Sequence, residues 1–328
     1  KIDLQKYFDE KIIDVERINH IGNNHLFRVS LSNKKRLVKV YSQVHMNNWP
    51  RAKCEFSSLS YLWEIGFRDI PKPIYFNEKR NIAIYSYEEG ILLMQEKIDI
   101  KDVSTALDFL IRLYNLKEKD KKRFAPASTD GLKLINYVKD IEDRISHLSK
   151  DIQTGSIPKY MKEFFYEEAI PVSKQIIDNF LSKFTKEELE QELPLKEQSL
   201  CFGDFGFHNI LVRNGEYKFL DFEYFGRDDP VRDLLGFVHH DKHSLLSYEL
   251  KKLLITRFIQ QTKNPDEIMK RLKLIDPLKG LSWMFTFLNI FSKKYLDNLR
   301  MSGADIDKII EERFTKAKNK LHNLKFFK

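Results

Sequence analysis

The sequence predicts an α+β protein in which a small β-rich region is followed by a larger, mainly helical region. Up to residue 90, short runs alternate apolar and polar residues, a two-residue period typical of antiparallel strands with one buried face. After residue 90, apolar residues recur every three or four positions, which is the period of amphipathic helices. The 328 residues, of which 42% are hydrophobic, are enough to form two packed lobes.

The N-terminal region is predicted to contain three strands and one helix. Alternating patterns place the strands at 26–31, 36–41 and 81–87, and the helix is expected at 50–65. These elements make the first region a small antiparallel sheet with a helix inserted between its strands.

The C-terminal region is predicted to be a set of packed helices. One helix follows from apolar residues at helical spacing: Leu132, Ile135, Val138, Ile141, Ile145 and Leu148. A second helix, or a pair, is expected at 159–183, and a buried helix around 281–291. Near the end of the chain, an amphipathic docking helix is predicted from Phe314, Ala317, Leu321 and Leu324.

Composition favours a globular chain without a nucleic-acid surface. The formal net charge is +8, but 56 basic and 48 acidic residues are intermixed along the chain. Nucleic-acid binding requires a basic patch rather than a basic total. The densest charged run, 117–123, contains both signs and precedes Pro126, so it is predicted to be a solvated connector.

Cysteine usage and hydropathy favour a cytoplasmic protein. The chain has two cysteines, Cys54 and Cys201, which are far apart, so a disulfide framework is not expected. The apolar stretch at 281–291 is too short to span a bilayer, and membrane insertion is not expected. The chain opens with Lys1 and shows no signal-peptide pattern.

Two polar segments in the second half of the chain carry the chemistry. Asp204 and Asn209 lie in the run Leu200–Val212, and Asp221 follows after a short apolar stretch. Carboxylate and amide oxygens suit Mg²⁺, and a positioned carboxylate can accept the proton of a hydroxyl group. Asp, Gly and Asn also build ordinary turns. Because the two segments occur together at a loop-length separation, the pattern favours a phosphoryl-transfer site.

These segments resemble the aminoglycoside phosphotransferase and choline kinase superfamily, which has a bilobal protein-kinase-like fold. The resemblance rests on Gly203–Asn209, on 219–224, which resembles choline and ethanolamine kinases, and on 228–234, which resembles antibiotic kinases. It implies Asp204 as the catalytic base and Asn209 and Asp221 as Mg²⁺ ligands. One departure is Phe202, which stands where the family has a histidine that supports the loop.

In the N-terminal lobe, the resemblance implies a nucleotide-covering loop and a phosphate-binding lysine. Gly22 and Asn23 lie where the loop is expected, although such residues are also common in hairpins. Lys39 has the place of the lysine that contacts the phosphates, with a solvated lysine on an edge strand as the alternative. Glu55 is expected to pair with Lys39, and Glu64 on the same helix is the fallback.

The hinge between the lobes is expected to bind the purine through backbone groups. Ser86, Tyr87 and Glu88 are assigned to the hinge by their position in the family alone. Backbone contacts leave no side-chain signature, so simple packing of the tyrosines explains the residues equally well.

The acceptor pocket has the least specific signal. Glu223, Asp228 and Asp229 could recognise a cationic acceptor; alternatively, Glu223 is a second metal ligand and the two aspartates cap a helix. Trp283 and Asn289 could line the pocket by stacking and hydrogen bonding, although a core role is favoured for the tryptophan.

Two further polar sites are interpreted as structural. Asp233 is expected to brace the catalytic loop through backbone amides, as its position in the family implies. His239 and His240 are adjacent, so they cannot both face one metal from a regular helix. Both histidines are therefore interpreted as structural residues.

The sequence as a whole predicts a small-molecule kinase that uses ATP (or GTP) and Mg²⁺. The N-terminal lobe is assigned to 1–88 and the C-terminal lobe to 89–328. The acceptor is a hydroxyl of a sugar, an amino alcohol such as choline, or a similar metabolite; the alternatives are an aminoglycoside kinase, a protein kinase or a non-catalytic nucleotide-binding scaffold. No motif sets the oligomeric state.

Overall fold

The two regions that the sequence predicts form an antiparallel sheet with one helix and a larger, mainly helical part. The computed structural model describes residues 3–18, 24–42, 49–95, 97–155, 157–243, 246–292, 295–296 and 305–327. The sheet comes first along the chain and the helical part follows. The predicted α+β class and the order of the two regions are confirmed.

The N-terminal sheet has five antiparallel strands in the spatial order β1-β2-β3-β5-β4. Its strands are β1 (Asp14–Ile18), β2 (His25–Ser30), β3 (Lys35–Val40), β4 (Pro73–Asn77) and β5 (Ile82–Ser86). The three predicted strands are β2, β3 and β5. Strands β1 and β4 form the two edges and contain no fully buried residue, whereas each inner strand contains at least one.

Strand β3 is an inner strand of the sheet, paired with β2 on one side and with β5 on the other. Val38 packs on one face into a small core that also contains Val29 and Ile84. Lys39, 7% exposed, lies on the opposite face. The alternative of a solvated edge lysine is therefore wrong, since the strand is internal and the lysine is covered.

Helix α1 (Arg51–Glu64) confirms the predicted helix and presents one face to the interior. Ala52, Glu55, Leu59 and Leu62 recur at helical spacing and are all buried. Glu64 is exposed at the end of the helix. The helix thus brings Glu55, rather than the fallback Glu64, to the interior beneath the sheet.

Five short strands support the loops of the C-terminal part. Strand β6 (Ile91–Leu92) pairs with β8 (Ile210–Arg213), and β8 pairs with β9 (Glu216–Phe219). Strand β7 (Ser199–Cys201) pairs with β10 (Gly226–Asp228). The loop that carries Asp204 connects β7 to β8, so its two ends are fixed by different sheets.

Helices make up most of the C-terminal part. They are α2 (Ile100–Tyr114), α3 (Glu118–Lys121), α4 (Leu134–Thr154), α5 (Lys159–Glu163), a π-helical segment (Phe164–Ala169), α6 (Ile170–Leu181), α7 (Lys186–Glu190), α8 (Pro230–His239), α9 (Tyr248–Gln260), α10 (Pro265–Phe287) and α11 (Ile306–His322). Helix α4 confirms the prediction from the apolar spacing at 132–148. The helical run from α5 through α6 confirms the prediction at 159–183.

The late apolar helix and the docking helix pack against each other. The predicted buried segment at 281–291 forms the end of α10 and the 3-10 helix Leu288–Phe291. Phe314, Ala317 and Leu321 of α11 are buried, as is Leu324 beyond it. A Cβ atom at Gly280 would lie 2.1 Å from the carbonyl oxygen of Leu324, so only glycine permits this close approach.

The charged run at 117–123 is only partly the solvated connector that its composition predicts. Most of its residues are exposed or half-buried, but Lys121 is buried and donates to the carbonyl oxygen of Gln198. The prediction is wrong for this lysine, because its position at the end of α3 turns it toward the interior.

Cys54 and Cys201 are both free thiols, as the sequence predicted. Among the described residues, none of the helices combines the length and the apolar character that crossing a bilayer would require.

Candidate active site

A buried ion cluster joins the N-terminal sheet, α1 and the segment after β9. The Nζ atom of Lys39 lies 2.7 Å from Oε2 of Glu55 and 2.7 Å from Oδ1 of Asp221. The same nitrogen lies 3.7 Å from Oε2 of Glu223. One ammonium group is therefore shared by three carboxylates that come from two distant parts of the chain.

The charges in this cluster shift one another's protonation. Burial disfavours the Lys39 ammonium, but the carboxylates of Asp221, Glu55 and Glu223 outweigh it and raise the lysine pKa well above its usual value. Burial raises the pKa of Glu55, which also accepts a hydrogen bond of 2.6 Å from the Tyr41 hydroxyl. Three carboxylates face two cations, Lys39 and Arg51, so the cluster carries an excess of negative charge.

Asp221 reaches this cluster through an unusual backbone conformation. Its φ is +66°, in the left-handed region that aspartate tolerates better than most residues. The amide of the preceding Leu220 donates to the carbonyl oxygen of Asn209 at 2.8 Å. This bond places the two residues predicted to bind metal on adjoining backbone segments.

The loop between β7 and β8 is held by backbone hydrogen bonds. Asp233 of α8 accepts from the amides of Phe202 at 2.7 Å and Gly203 at 3.0 Å, which confirms its expected bracing role. Gly203 has φ +77°, and a Cβ atom there would lie 2.9 Å from Cβ of Tyr224. Glycine is therefore required at this point of the loop.

Phe202 supports the same loop by apolar packing where the family has a histidine. Its side chain is fully buried, and its ring packs on those of Phe109, Phe205, Phe222 and Phe225 at centroid distances of 4.5 to 5.9 Å. Aromatic contacts of this kind stabilise beyond the burial of area alone. The loop thus keeps a rigid base without a hydrogen-bonding side chain at this position.

Asn209 is oriented by a bond to the loop itself. Its Nδ2 donates to the carbonyl oxygen of Asp204 at 3.1 Å. The amide oxygen, which is the atom that can ligate a hard cation, therefore points away from that carbonyl.

The Asp204 carboxylate faces the Nε2 edges of two imidazole rings. Its Oδ2 is 3.5 Å from Nε2 of His208, and its Oδ1 is 3.4 Å from Nε2 of His240. Burial would raise the Asp204 pKa, but hydrogen bonds from both histidines outweigh it and hold the pKa well below its usual value. The carboxylate is thus ionised, and its side chain is 37% exposed.

Neither histidine is assigned to the site from the sequence alone. The prediction that His240 is only structural is incomplete, and His208 has no predicted role. A signal existed for His208, which lies within the Asp204–Asn209 segment. For His240 there was none, because only the packing of α8 against the loop brings it to Asp204.

Glu223 lies at the Lys39 end of the site rather than beside Asp204. Asn24 donates to its Oε2 at 2.8 Å, and NH1 of the buried Arg51 is 3.4 Å from its Oε1. Glu55, Asp221 and Glu223 can bring ligand atoms within 4.8 Å of one another. This position favours the metal-side alternative for Glu223 over the acceptor-side one.

Asp228 and Asp229 do not line a cleft. Both are completely buried: Asp228 pairs with Arg232, and Asp229 pairs with Arg271. Asp229 also caps α8 by accepting from the amide of Val231 at 3.1 Å. The prediction that they form a cation-recognising rim is therefore wrong, because both carboxylates are buried and already paired with arginines.

The late helical segment carries the two remaining predicted acceptor residues, Trp283 and Asn289. Trp283 is half-buried and lies edge-on to His240, at a centroid distance of 4.5 Å. Asn289 is half-buried in the 3-10 helix after α10. Gly22 and Asn23 lie outside the described residues.

Of the three residues predicted to bind the purine through their backbone, Ser86 does not have a free amide. The amide of Ser86 already donates to the carbonyl oxygen of Lys72 at 2.9 Å, so this N–H is not free for a purine. Tyr87 and Glu88 follow the last residue of β5 and precede the C-terminal part. The Glu88 carboxylate accepts from the Ser86 hydroxyl.

Comparison with known proteins identifies the family. A model of the phosphotransferase enzyme family matches residues 14–248, so the chain belongs to that family. Comparison with curated protein sequences gave no match.

Solved structures share the fold across nearly the whole chain. Spectinomycin phosphotransferase, solved with ADP and spectinomycin, has a TM-score of 0.67 at 13% identity, covering 97% of this chain and 96% of that one. Choline kinase from Cryptosporidium parvum has a TM-score of 0.63 at 16% identity, with coverages of 98% and 93%. Choline kinase LicA from Streptococcus pneumoniae has a TM-score of 0.59 at 16% identity, with coverages of 98% and 96%. At these identities the likeness shows a kinase-like fold.

Proposed function

We propose that this chain transfers the γ-phosphoryl group of ATP (or GTP) to a hydroxyl group of a small molecule. The observation that carries the proposal is an unbroken series of contacts between polar groups in the site. It runs from the buried Lys39–Glu55 pair to Asp221, then through the Leu220–Asn209 backbone bond to Asn209, which contacts Asp204. A phosphoryl-transfer site needs these chemical groups in this order.

Lys39 is assigned to the nucleotide phosphates, and Glu55 holds it in place. The pair is buried under α1, and Tyr41 donates to the same Glu55 oxygen. Such a pair fixes an ammonium group at one point, which is what aiming at a phosphate requires. The backbone of Tyr87 and Glu88 is assigned to the purine.

The donor set at the next position fits Mg²⁺. Asp221 provides a carboxylate beside an excess of negative charge, and Asn209 has its amide oxygen turned from the loop. Hard cations of this kind prefer oxygen ligands, and Glu223 is near enough to contribute another. When bound, the ion would offset the charge of the nucleotide phosphates.

Asp204 is assigned to the acceptor. Its carboxylate is ionised and partly exposed, so an incoming hydroxyl can donate to it. In phosphoryl transfer the carboxylate orients this hydroxyl toward the phosphorus and accepts its proton as the new P–O bond forms.

The acceptor class is proposed as a sugar, an amino alcohol such as choline, or a similar metabolite. Structures of the same fold include enzymes named for choline and for spectinomycin, so an aminoglycoside remains the alternative. With Asp228 and Asp229 buried, a cationic acceptor gains no support from those two carboxylates.

Two other classes of function have weaker support. A protein kinase needs an activation segment, and only seven residues separate Glu223 from Val231, three of which form β10. A non-catalytic scaffold is expected to have lost a phosphate or metal ligand. In this chain Lys39, Asp204, Asn209 and Asp221 are all in place.

Two assignments accompany the function. We place the lobe boundary between residues 88 and 89, because β5 belongs to the N-terminal sheet and β6 pairs with β8. A reducing, cytoplasmic location is supported by the two unpaired cysteines.

The proposal is tested by ADP release across a panel of hydroxyl-bearing metabolites, including sugars, choline, ethanolamine and aminoglycosides. The phosphorylated product of any active acceptor is then identified by ³¹P spectroscopy. Asp204→Asn, which keeps the shape of the side chain without its charge, serves as the control. Acceptor-dependent ADP release that is unchanged in Asp204→Asn would contradict the assignment.

A further inference from the structure

The Asp204 carboxylate has two histidine neighbours that belong to different elements. His208 comes from the same loop, and His240 follows the last residue of α8. The two rings stack at a centroid distance of 4.4 Å with an interplanar angle of 24°. Both Nε2 atoms face the carboxylate, one toward each oxygen.

The position of the hydrogen on His240 follows from its second ring nitrogen. The backbone amide of Lys242 donates to Nδ1 of His240 at 3.0 Å. An accepting Nδ1 has a free lone pair, so in the neutral ring the hydrogen is on Nε2. That Nε2–H group is the one that faces Oδ1 of Asp204.

His208 has the same neutral tautomer, for a different structural reason. Its Nδ1 is buried and has no hydrogen-bond partner among the residues that the structure describes. The Gly206 backbone packs on this edge, since a Cβ atom there would lie 2.6 Å from Nδ1. Nδ1 lacks a partner in either tautomer, so the other nitrogen decides. A lone pair on Nε2 would face the lone pairs of the Asp204 carboxylate, whereas an Nε2–H group can donate to it, so the hydrogen is on Nε2.

We propose that His208 and His240 form a two-imidazole clamp, in which both Nε2–H groups donate to Asp204 and His240 acts as a positioning residue. The inference rests on the proposed function, because it explains how the base is aimed. A metal ion held by Asp204, His208 and His240 is the rival arrangement, since their ligand atoms lie within 4.8 Å of one another. Nitrogen atoms that bear hydrogen cannot ligate a metal, so the tautomers favour the clamp.

The clamp suits the transfer step. Each Asp204 oxygen accepts one imidazole N–H and keeps a further lone pair for the acceptor hydroxyl. The phosphoryl-transfer transition state is largely dissociative, so a weakly basic but well-aimed carboxylate is sufficient. Trp283, edge-on to His240, and His243, 5.2 Å from it between ring centroids, limit the motion of the His240 ring.

The kinetic test compares two substitutions at one position. His240→Phe keeps a ring against His208 and Trp283 but removes the N–H donor, and kcat should fall about 10- to 100-fold with KM for ATP unchanged. His240→Gln places an amide N–H near the position of Nε2 and should restore most of the turnover. His322→Phe on the exposed surface of α11 is the control. Wild-type kcat in His240→Phe, or equal losses in both variants, would overturn the clamp.

A spectroscopic test does not depend on finding the acceptor. Long-range ¹H–¹⁵N spectra of the full chain should show the Nε2–H tautomer for both His208 and His240. An Nδ1–H tautomer at either ring overturns the clamp, as does loss of both Nε2–H signals with stoichiometric ZnCl₂, which would indicate the metal site. If the metabolite panel gives no phosphorylated product, the proposed function fails, while these spectra still decide the clamp.

Discussion

The two ends of the site are built from different chemistry. At the end proposed to bind the nucleotide, called the nucleotide end, Lys39 pairs with Glu55 and Asp221 at 2.7 Å and lies 3.7 Å from Glu223. At the end proposed to bind the acceptor, called the acceptor end, Asp204 faces two imidazoles at 3.4 and 3.5 Å, and none of the cations described in this chain forms a close ion pair with it.

The two ends also differ in where their residues come from. The nucleotide end joins β3 and α1 of the N-terminal part to the segment after β9, so it depends on the two parts meeting. The acceptor end takes its groups from the β7–β8 loop, α8 and α10, all within the C-terminal part. Fixed charge thus holds the junction between the parts, while aromatic and imidazole packing shapes the surroundings of Asp204.

The largest effect is expected at the acceptor end, from Asp204→Ala. Turnover should fall by about 10²- to 10⁴-fold, because the carboxylate acts in the transfer step. The proposed ATP site is at the other end, so the ATP-induced rise in Tm should be almost unchanged. Steady-state kinetics measure turnover, and thermal unfolding measures the ATP-induced rise in Tm. Loss of both in Asp204→Ala would contradict the assignment of separate roles to the two ends.

At the nucleotide end, Lys39→Met should reduce stability as well as nucleotide affinity. Removing the cation leaves the buried Glu55 carboxylate without its ion-pair partner, and we expect the free energy of unfolding to fall by about 3–5 kcal/mol. Lys35→Met is the matched control on the same strand, because its pair with Glu89 is exposed and should contribute little. Urea denaturation with and without ATP tests both effects. Equal losses in the two variants would contradict the buried-pair argument.

The apolar base of the loop is tested by Phe202→His, which introduces the residue that the family has there. Phe202 is enclosed by aromatic rings, so a polar ring without a partner should lower the free energy of unfolding by about 1–3 kcal/mol. Turnover should not rise, since Asp233 already holds the loop backbone. Denaturant unfolding and kcat are measured, with Phe202→Leu as the apolar control. A more stable or faster histidine variant would show that the cluster does not replace the family residue.

His243 should make the acceptor end sensitive to acid. Burial lowers its pKa from 6.5 to about 3, and in the neutral ring Nε2 accepts from the amide of Phe207 at 3.1 Å. Between pH 6.5 and 3 the unfolded chain binds more protons at this site than the folded chain does. Its contribution to stability is therefore complete above pH 6.5 and falls as the pH is lowered through this window, by about 1 kcal/mol per pH unit.

Denaturant unfolding of wild type and His243→Gln between pH 7.5 and 5 isolates this contribution. The free energy of unfolding of wild type should exceed that of the variant by less as the pH falls below 6.5, because the side chain that replaces His243 does not titrate. A constant difference across the range would show that the buried ring does not titrate as its environment indicates.

The smallest effect is expected from salt on acceptor binding. Because Asp228 and Asp229 are buried and paired with arginines, they cannot attract a cationic acceptor through solvent. KM for a choline-like acceptor should therefore change little between low and high ionic strength, as for a neutral sugar. A steep rise of KM with salt for the cationic acceptor alone would indicate another exposed carboxylate at this end.

Local pattern was sufficient for much of the fold and for the nucleotide end. The strands at β2, β3 and β5 and the helices α1 and α4 follow from periodicity, which depends only on neighbouring residues. Lys39 and Glu55 were recognisable by order and spacing along the chain. The edge strands β1 and β4 were missed because they bury too little to show a pattern.

The sequence by itself determined the class of fold and the order of the polar segments on which the proposed phosphoryl transfer rests. Only the tertiary structure decided that Asp228 and Asp229 are buried with arginines, that Glu223 lies beside Lys39, and that His240 faces Asp204. The physical reason is that a side chain's partner depends on which faces of distant elements pack together. Spacing along the chain fixes the direction of a side chain within its own helix or strand, but not what lies opposite it.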